Sequence, residues 1–156
     1  INLLKKNQYQ NFEIKIVGEG VYSKEILNLS KKNKDITYLK FQNLTELKKI
    51  YLNSDVMIFP SRFDGWGVVA LEAMNYMLAI ISSQNVGVKE VFPKKKIIIK
   101  PSEKELDKKI KFLLKNPELI KKLGIQNNTS LKNSICNSEN SVKRFIKYIK
   151  KRRKNF

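Results

Sequence analysis

An apolar run, Val56-Met57-Ile58-Phe59, meets Pro60, passes through a turn holding Gly65 and Gly67, and continues from Val68 to Met77 with helical spacing. Strand, loop and helix in that order constrain the chain more than any other stretch. The start of such a helix leaves backbone N–H groups without intrahelical acceptors, and together with the helix dipole they make a site for anions. Glycines there let a bulky ligand approach the backbone. Two carboxylates flank the opening: Asp64 in the loop and Glu72 in the second turn of the helix. An acid so placed can accept hydrogen bonds from a ribose diol or from sugar hydroxyls.

The same alternation continues on both sides. Residues 12–18, FEIKIVG, have the pattern of a central parallel strand, and Gly18-Glu19-Gly20 then turns the chain into a helix over about Tyr22 to Lys32, bearing Ile26 and Leu29. Ile36, Tyr38, Leu39 and Phe41 mark a second strand. Thr45 is the expected N-cap of the next helix, with Leu47, Ile50, Tyr51 and Leu52 inward. The central helix is expected to bury Val68, Val69, Leu71, Met74 and Met77. Leu78 to Ser82 forms a short buried strand, Ser83 to Gly87 a polar loop, and Ile97 to Ile99 a last strand behind Lys94-Lys95-Lys96. Ser102 caps a helix in a capping box with Glu105, its apolar face being Leu106, Ile110, Phe112, Leu113 and Leu114. Asn116-Pro117 ends it, and Pro117 opens another helix through Leu123.

This alternation predicts an α/β fold, a Rossmann-like doubly wound parallel sheet flanked by helices. Its ligand belongs at the carboxyl ends of the strands, where Gly18, Phe41 and residues 61–67 all fall. We divide the chain into a Rossmann-like domain over 1–137 and a basic carboxyl-terminal helix over 138–156. Leu3, Leu4, Lys5 and Lys6 look like the tail of an incomplete amino-terminal helix.

Composition bounds the chemistry. A chain of 156 residues with 42% hydrophobic content suits one domain with a sizeable core. No apolar run is long enough to cross a bilayer, and the opening INLLKKNQYQ has neither a signal-peptide pattern nor an initiator Met. We therefore expect a piece of a longer, cytoplasmic protein. Cys136 is the only cysteine, which leaves no internal disulfide and no cysteine cluster for zinc. The chain has no His, so a Ser-His-Asp triad, a His general base and His metal sites are excluded within it. A formal net charge of +18 attracts nucleic acid, anionic lipid or phosphorylated ligands, although Lys, Asn and Ile are abundant throughout and compositional bias accounts for it equally well.

Pro60, Ser61, Asp64, Trp66, Gly67, Glu72, Ala73 and Met74 stand in an order that resembles the signature of the retaining, nucleotide-sugar-dependent glycosyltransferases of family four. That family has the GT-B architecture, two Rossmann-like domains facing a cleft. The resemblance implies that this chain is one half of it, the carboxyl-terminal, donor-binding domain. It further implies that Glu72 grips the ribose diol of the donor and that Asp64, in the place of the family's first Glu, acts on hydroxyls of the transferred sugar as the catalytic acid residue. The N–H groups of Trp66, Gly67 and Val68, beside Gly65, would face sugar or phosphate oxygens. Gly18 and Gly20 match a similar Val-Gly-x-Gly turn at the mouth of the cleft, and Phe41 and Gln42 stand where the nucleobase is contacted. Gly87-Val88-Lys89-Glu90 resembles a Gly-x-x-Glu segment near the donor. Met77 and Ala79 replace the Gly and Pro usual after the helix.

On this resemblance the expected partners are a nucleotide-diphosphate sugar, UDP- or GDP-linked, and an amino-terminal domain holding a glycan or lipid-linked sugar acceptor. The family's diphosphate-binding Gly-Arg and Lys align ahead of Ile1, and activity is separately expected to need the acceptor-holding amino-terminal domain. No cofactor and no metal are implied. The tail places Val142, Phe145, Ile146 and Ile149 on one stripe for docking, and its cluster from Lys151 to Lys154 suits peripheral contact with anionic membrane. Two other classes are weighed. One is a non-catalytic basic Rossmann-like module for nucleic acid or acidic polymer, which lacks interleaved basic and aromatic residues. The other is a GT-B-like sugar-nucleotide epimerase, for which no proton-transfer set is present.

Overall fold

The computed structural model describes residues 12–93, 98–100 and 102–134. The expected amino-terminal helix tail, Lys94 to Ile97, Pro101, Cys136, the 137/138 boundary and the basic tail lie outside the described residues. The elements are β1 (Ile14–Val17), α1 (Ser23–Lys32), β2 (Ile36–Leu39), α2 (Leu44–Leu52), β3 (Val56–Phe59), α3 (Val68–Asn75), β4 (Ala79–Ser83), a 3₁₀ turn (Gly87–Val91), β5 (Ile98–Ile99) and α4 (Glu103–Leu114). Residues 117–134 are also helical, here α5. The fold is the expected Rossmann-like α/β alternation with parallel strands.

Every ladder is parallel. β1 pairs with β2 from Ile14↔Ile36 to Val17↔Leu39, and β4 pairs with β3 from Val56↔Ala79 to Phe59↔Ser82 and with β5 at Ser82↔Ile98. They form two sheets, β1-β2 and β3-β4-β5. A doubly wound sheet of order 3-2-1-4-5-6 has a strand between these two groups. Among the described residues no strand pairs between β1 and β3. Burial follows: all five residues of β4 are buried, whereas Val17 is 37% and Ile58 is 38% exposed. Among the described residues β4 is thus the strand paired on both sides, whereas β1, expected to be central, pairs on one.

The core lies around β4. Ala70, Ala73 and Met74 of α3, Leu78 to Ile81, Val86, Val88, Ile99, Leu113 of α4, and Leu123 and Leu131 of α5 form one buried cluster. Helical geometry corrects several expectations. In α3 the buried stripe is 70, 73 and 74, so Val68, Val69 and Met77 are exposed. In α2, Leu52 falls well round the helix from the inward Leu47 and Ile50, and is exposed. Phe112 and Leu114 flank the buried Leu113 and are largely exposed, Lys109 lying 5.8 Å from the Phe112 ring centroid.

Caps are also specific. Asn43, not Thr45, caps α2, its side chain accepting from the Glu46 N–H at 2.9 Å. Ser102 caps α4 by accepting from the Glu105 N–H at 3.2 Å, but the Ser102 N–H donates to the Lys100 carbonyl at 2.7 Å, so the reciprocal half of the capping box is unmade. Helix α5 runs past Leu123 because its interior makes polar contacts that apolar periodicity does not signal. Asn127 Nδ2 donates to the Leu78 carbonyl at 2.9 Å, and Asn128 Nδ2 to those of Met74 at 3.2 Å and Asn75 at 2.9 Å. These tie α5 to the end of α3 and to the residue before β4; the Met74 carbonyl also accepts from the Met77 N–H at 3.1 Å.

A candidate donor site at the carboxyl end of β3

The loop leaving β3 is built by Asp64. Its Oδ1 accepts from the N–H groups of Trp66 at 2.9 Å and Gly67 at 2.5 Å. An aspartate two and three residues before such amides folds the loop onto itself and delivers the chain to the helix start. Gly67 holds the helix N-cap at φ 80°, a left-handed conformation in which its missing Cβ also avoids crowding from the Phe59 ring and Val88 at 3.1 Å.

Neighbouring loops clamp this turn. The Asp64 N–H donates to the Asn85 carbonyl and the Gly87 N–H to the Asp64 carbonyl, both at 3.2 Å. The Ser83 hydroxyl donates to the Ser61 carbonyl at 2.5 Å, and Asn85 Nδ2 to the Arg62 carbonyl at 2.9 Å. Gly87 packs so closely on the 65–66 backbone that a Cβ there would fall on the Gly65 carbonyl oxygen. Lys89 Nζ donates to the Gln84 carbonyl at 2.8 Å, bracing the far side of the same loop.

Two of the three amides expected to face ligand oxygens, those of Trp66 and Gly67, are therefore satisfied within the loop by Asp64. The Ala70 and Leu71 N–H groups turn to the Gly67 carbonyl at 2.9 and 3.3 Å. The N–H groups of Val68 and Val69, the first two helical residues, have no acceptor among the described residues, and both residues are exposed. They are the open donors at this helix start. The Trp66 side chain is 55% exposed beside them.

Glu72 stands in the second turn of α3, half-buried, and its Oε2 accepts a hydrogen bond from the Tyr51 hydroxyl of α2 at 3.0 Å. The Tyr51 ring stacks on Tyr76 with centroids 5.4 Å apart and planes at 15°. Burial, and then the bond to Glu72, push the Tyr51 phenol well above its ordinary value of 10.0. Sequence reasoning placed Tyr51 inward on α2 but gave it no role at the site, because a core tyrosine carries no local motif.

The remaining candidates form a second cluster. Gly18, at φ 111°, donates to the Leu39 carbonyl at 3.0 Å, and Gly20 donates to Ser23 Oγ at 2.8 Å to start α1. Lys40 lies 3.8 Å from Glu19, tying the turn after β1 to the loop after β2. In that loop Phe41 is 80% exposed, while Gln42 Nε2 folds back to the carbonyls of Lys40 and Phe41 at 3.2 and 3.0 Å. These contacts stay within the cluster, and Tyr51 provides the link from α2 to α3. Among the described residues no three Cys, Asp or Glu side chains cluster as metal ligands.

Parallel strands ending in a helix-start loop, with an acid in the loop and another on the helix, make a Rossmann-like α/β domain. The chain belongs to the glycosyl transferases group 1 family, whose model matches residues 1–130. An uncharacterized glycosyltransferase of Methanocaldococcus jannaschii is 29% identical over 119 residues, 73% of this chain and 34% of that protein. An uncharacterized 41.2 kDa protein of the Klebsiella pneumoniae cps region is 26% identical over 91 residues, 58% of this chain and 25% of that one. Among solved structures, sucrose-phosphate synthase from Thermosynechococcus elongatus superposes with a TM-score of 0.74 at 19% identity, covering 92% of this chain and 41% of that chain. Anabaena HepE in complex with UDP gives 0.68 at 14% identity, covering 88% and 43%. These likenesses share the GT-B fold. The chain thus spans about a third or less of the curated relatives it matches and under half of these two structures.

Proposed function

We propose that this chain is the donor-binding, carboxyl-terminal half of a retaining glycosyltransferase that moves a sugar from a nucleotide diphosphate to a glycan or lipid-linked sugar acceptor. The observation that carries the reading is the pairing of Asp64 and Glu72 across one helix start, the first shaping the loop and the second standing in the next turn with an exposed amide pair between them. The Val68 and Val69 amides and the helix dipole would stabilise the leaving diphosphate. Glu72 would accept from both hydroxyls of the ribose. Asp64 uses Oδ1 to hold the loop, which leaves Oδ2 to orient hydroxyls of the transferred sugar. That HepE was solved with UDP supports the donor class. The sugar-acceptor site would come from the other domain.

The test is donor-nucleotide affinity measured by calorimetry at moderate salt, where the +18 charge no longer holds every phosphate alike. Glu72→Ala should weaken binding by roughly tenfold or more, the scale of a lost charged hydrogen bond. Arg152→Ala, in the basic tail, should leave it nearly unchanged. Equal affinity in Glu72→Ala and the parent would remove Glu72 from the site.

A further inference from the structure

We propose that Tyr51 is a positioning residue for the nucleotide-binding carboxylate: its hydroxyl, fixed by stacking on Tyr76, holds the Glu72 side chain ready to receive a ribose diol. The inference rests on the role given to Glu72 above. Glu72 carries a flexible side chain on a half-buried helix face, and Tyr51 Oη is its hydrogen-bond partner, donating to Oε2 at 3.0 Å. The donor is itself held, because Tyr51 and Tyr76 stack at 5.4 Å and 15°. Tyr76 follows α3 one turn beyond Glu72, so ring and carboxylate are both referred to one helix.

The stoichiometry of the contact leaves the carboxylate free to work. An ionised carboxylate offers about four lone-pair directions, and Tyr51 takes one. The others can accept from both hydroxyls of a ribose. The Tyr51 phenol donates to Glu72 and so leaves the remaining lone pairs of the carboxylate for ligand hydroxyls. Ordering the side chain before the ligand arrives removes a rotamer cost that binding would otherwise meet. Because Tyr51 belongs to α2, the helix that follows the 41–43 loop, the contact also fixes Glu72 relative to the loop after β2.

A brace and a positioning residue both stabilise the fold, but only the second affects how the ribose is read. The experiment compares binding of UDP, GDP and ADP with their 2′-deoxy forms to the parent protein, Tyr51→Phe and Glu72→Gln, with thermal midpoints measured alongside. Tyr51→Phe keeps the ring and its stacking. Whichever base the parent prefers, it should favour the ribonucleotide over the deoxynucleotide. Glu72→Gln should lose most of that preference, and Tyr51→Phe should reduce it roughly threefold to tenfold, the scale of a single net hydrogen bond. A preference unchanged in Tyr51→Phe but lost in Glu72→Gln overturns the positioning role and leaves the donor site standing. A preference unchanged in Glu72→Gln, or no nucleotide binding by the parent, overturns the donor-site reading and the inference with it.

Discussion

Met77 shows how one side chain records a constraint of the fold. It follows α3 at φ 61°, a left-handed conformation that costs an L-residue about 1 kcal/mol or more, and its side chain is 54% exposed. Gly relieves that strain but gains freedom in the unfolded chain, so Met77→Gly should raise stability by a net of about 0.5 kcal/mol, read as a small rise in denaturation midpoint; a fall would show that the thioether packs more than its exposure implies. Tyr51 gives a second prediction. Its raised phenol pKa means the folded state retains a proton that the unfolded state releases above about pH 10, so this contribution is complete below that pH and is lost as pH climbs toward the folded value. Ultraviolet titration of the six tyrosines should therefore show a late-ionising component that Tyr51→Phe removes. At this scale the sequence was informative where structure is local: the places of Asp64 in the loop, Gly67 at the turn and Glu72 on the helix were legible from the order of residues. The Tyr51–Glu72 bond joins positions 21 apart, and no window of sequence contains it.

At the scale of elements, the end of α3 and the middle of α5 form one joint. Gly124 packs against the Met77 carbonyl so closely that a Cβ would overlap it, while Asn127 and Asn128 donate to the carbonyls of residues 74, 75 and 78. Asn128→Ala removes the side-chain donor from the Asn75 carbonyl and one of the donors to the Met74 carbonyl, and should cost about 1–3 kcal/mol in chemical denaturation, whereas replacing an exposed neighbour such as Thr129 should cost far less. Equal effects would deny the joint. Apolar periodicity located the helices but not this contact, since two adjacent asparagines on a helix look like surface. The same limit explains the caps. Thr45 and Asn43 are both good N-cap types, and only the Asn43 contact with the Glu46 N–H decides between them.

For the whole molecule, the alternation of strands and helices foretold the parallel Rossmann-like fold, because burial on both faces of β4 goes with the apolar stretch Leu78 to Ile81 that leads into the buried Ser82 and Ser83. It did not foretell that β1 and β3 lie in separate ladders, since strand order is a property of long-range pairing. Two ladders imply two levels of protection. Amides of β4 should exchange most slowly and those of β1 and β2 markedly faster, and Tyr51→Ala, which cuts the stacking and the bond between α2 and α3, should widen the gap. Uniform protection across the five strands would contradict that division. The central claim, a nucleotide-sugar donor site opened by Asp64 and Glu72, is met most directly by a thermal-shift screen against UDP, GDP, ADP and their sugar conjugates in moderate salt, run in parallel on Glu72→Ala. The account predicts stabilisation by one nucleotide over the others and its loss in the variant. The same selective stabilisation in the parent and in Glu72→Ala would contradict it.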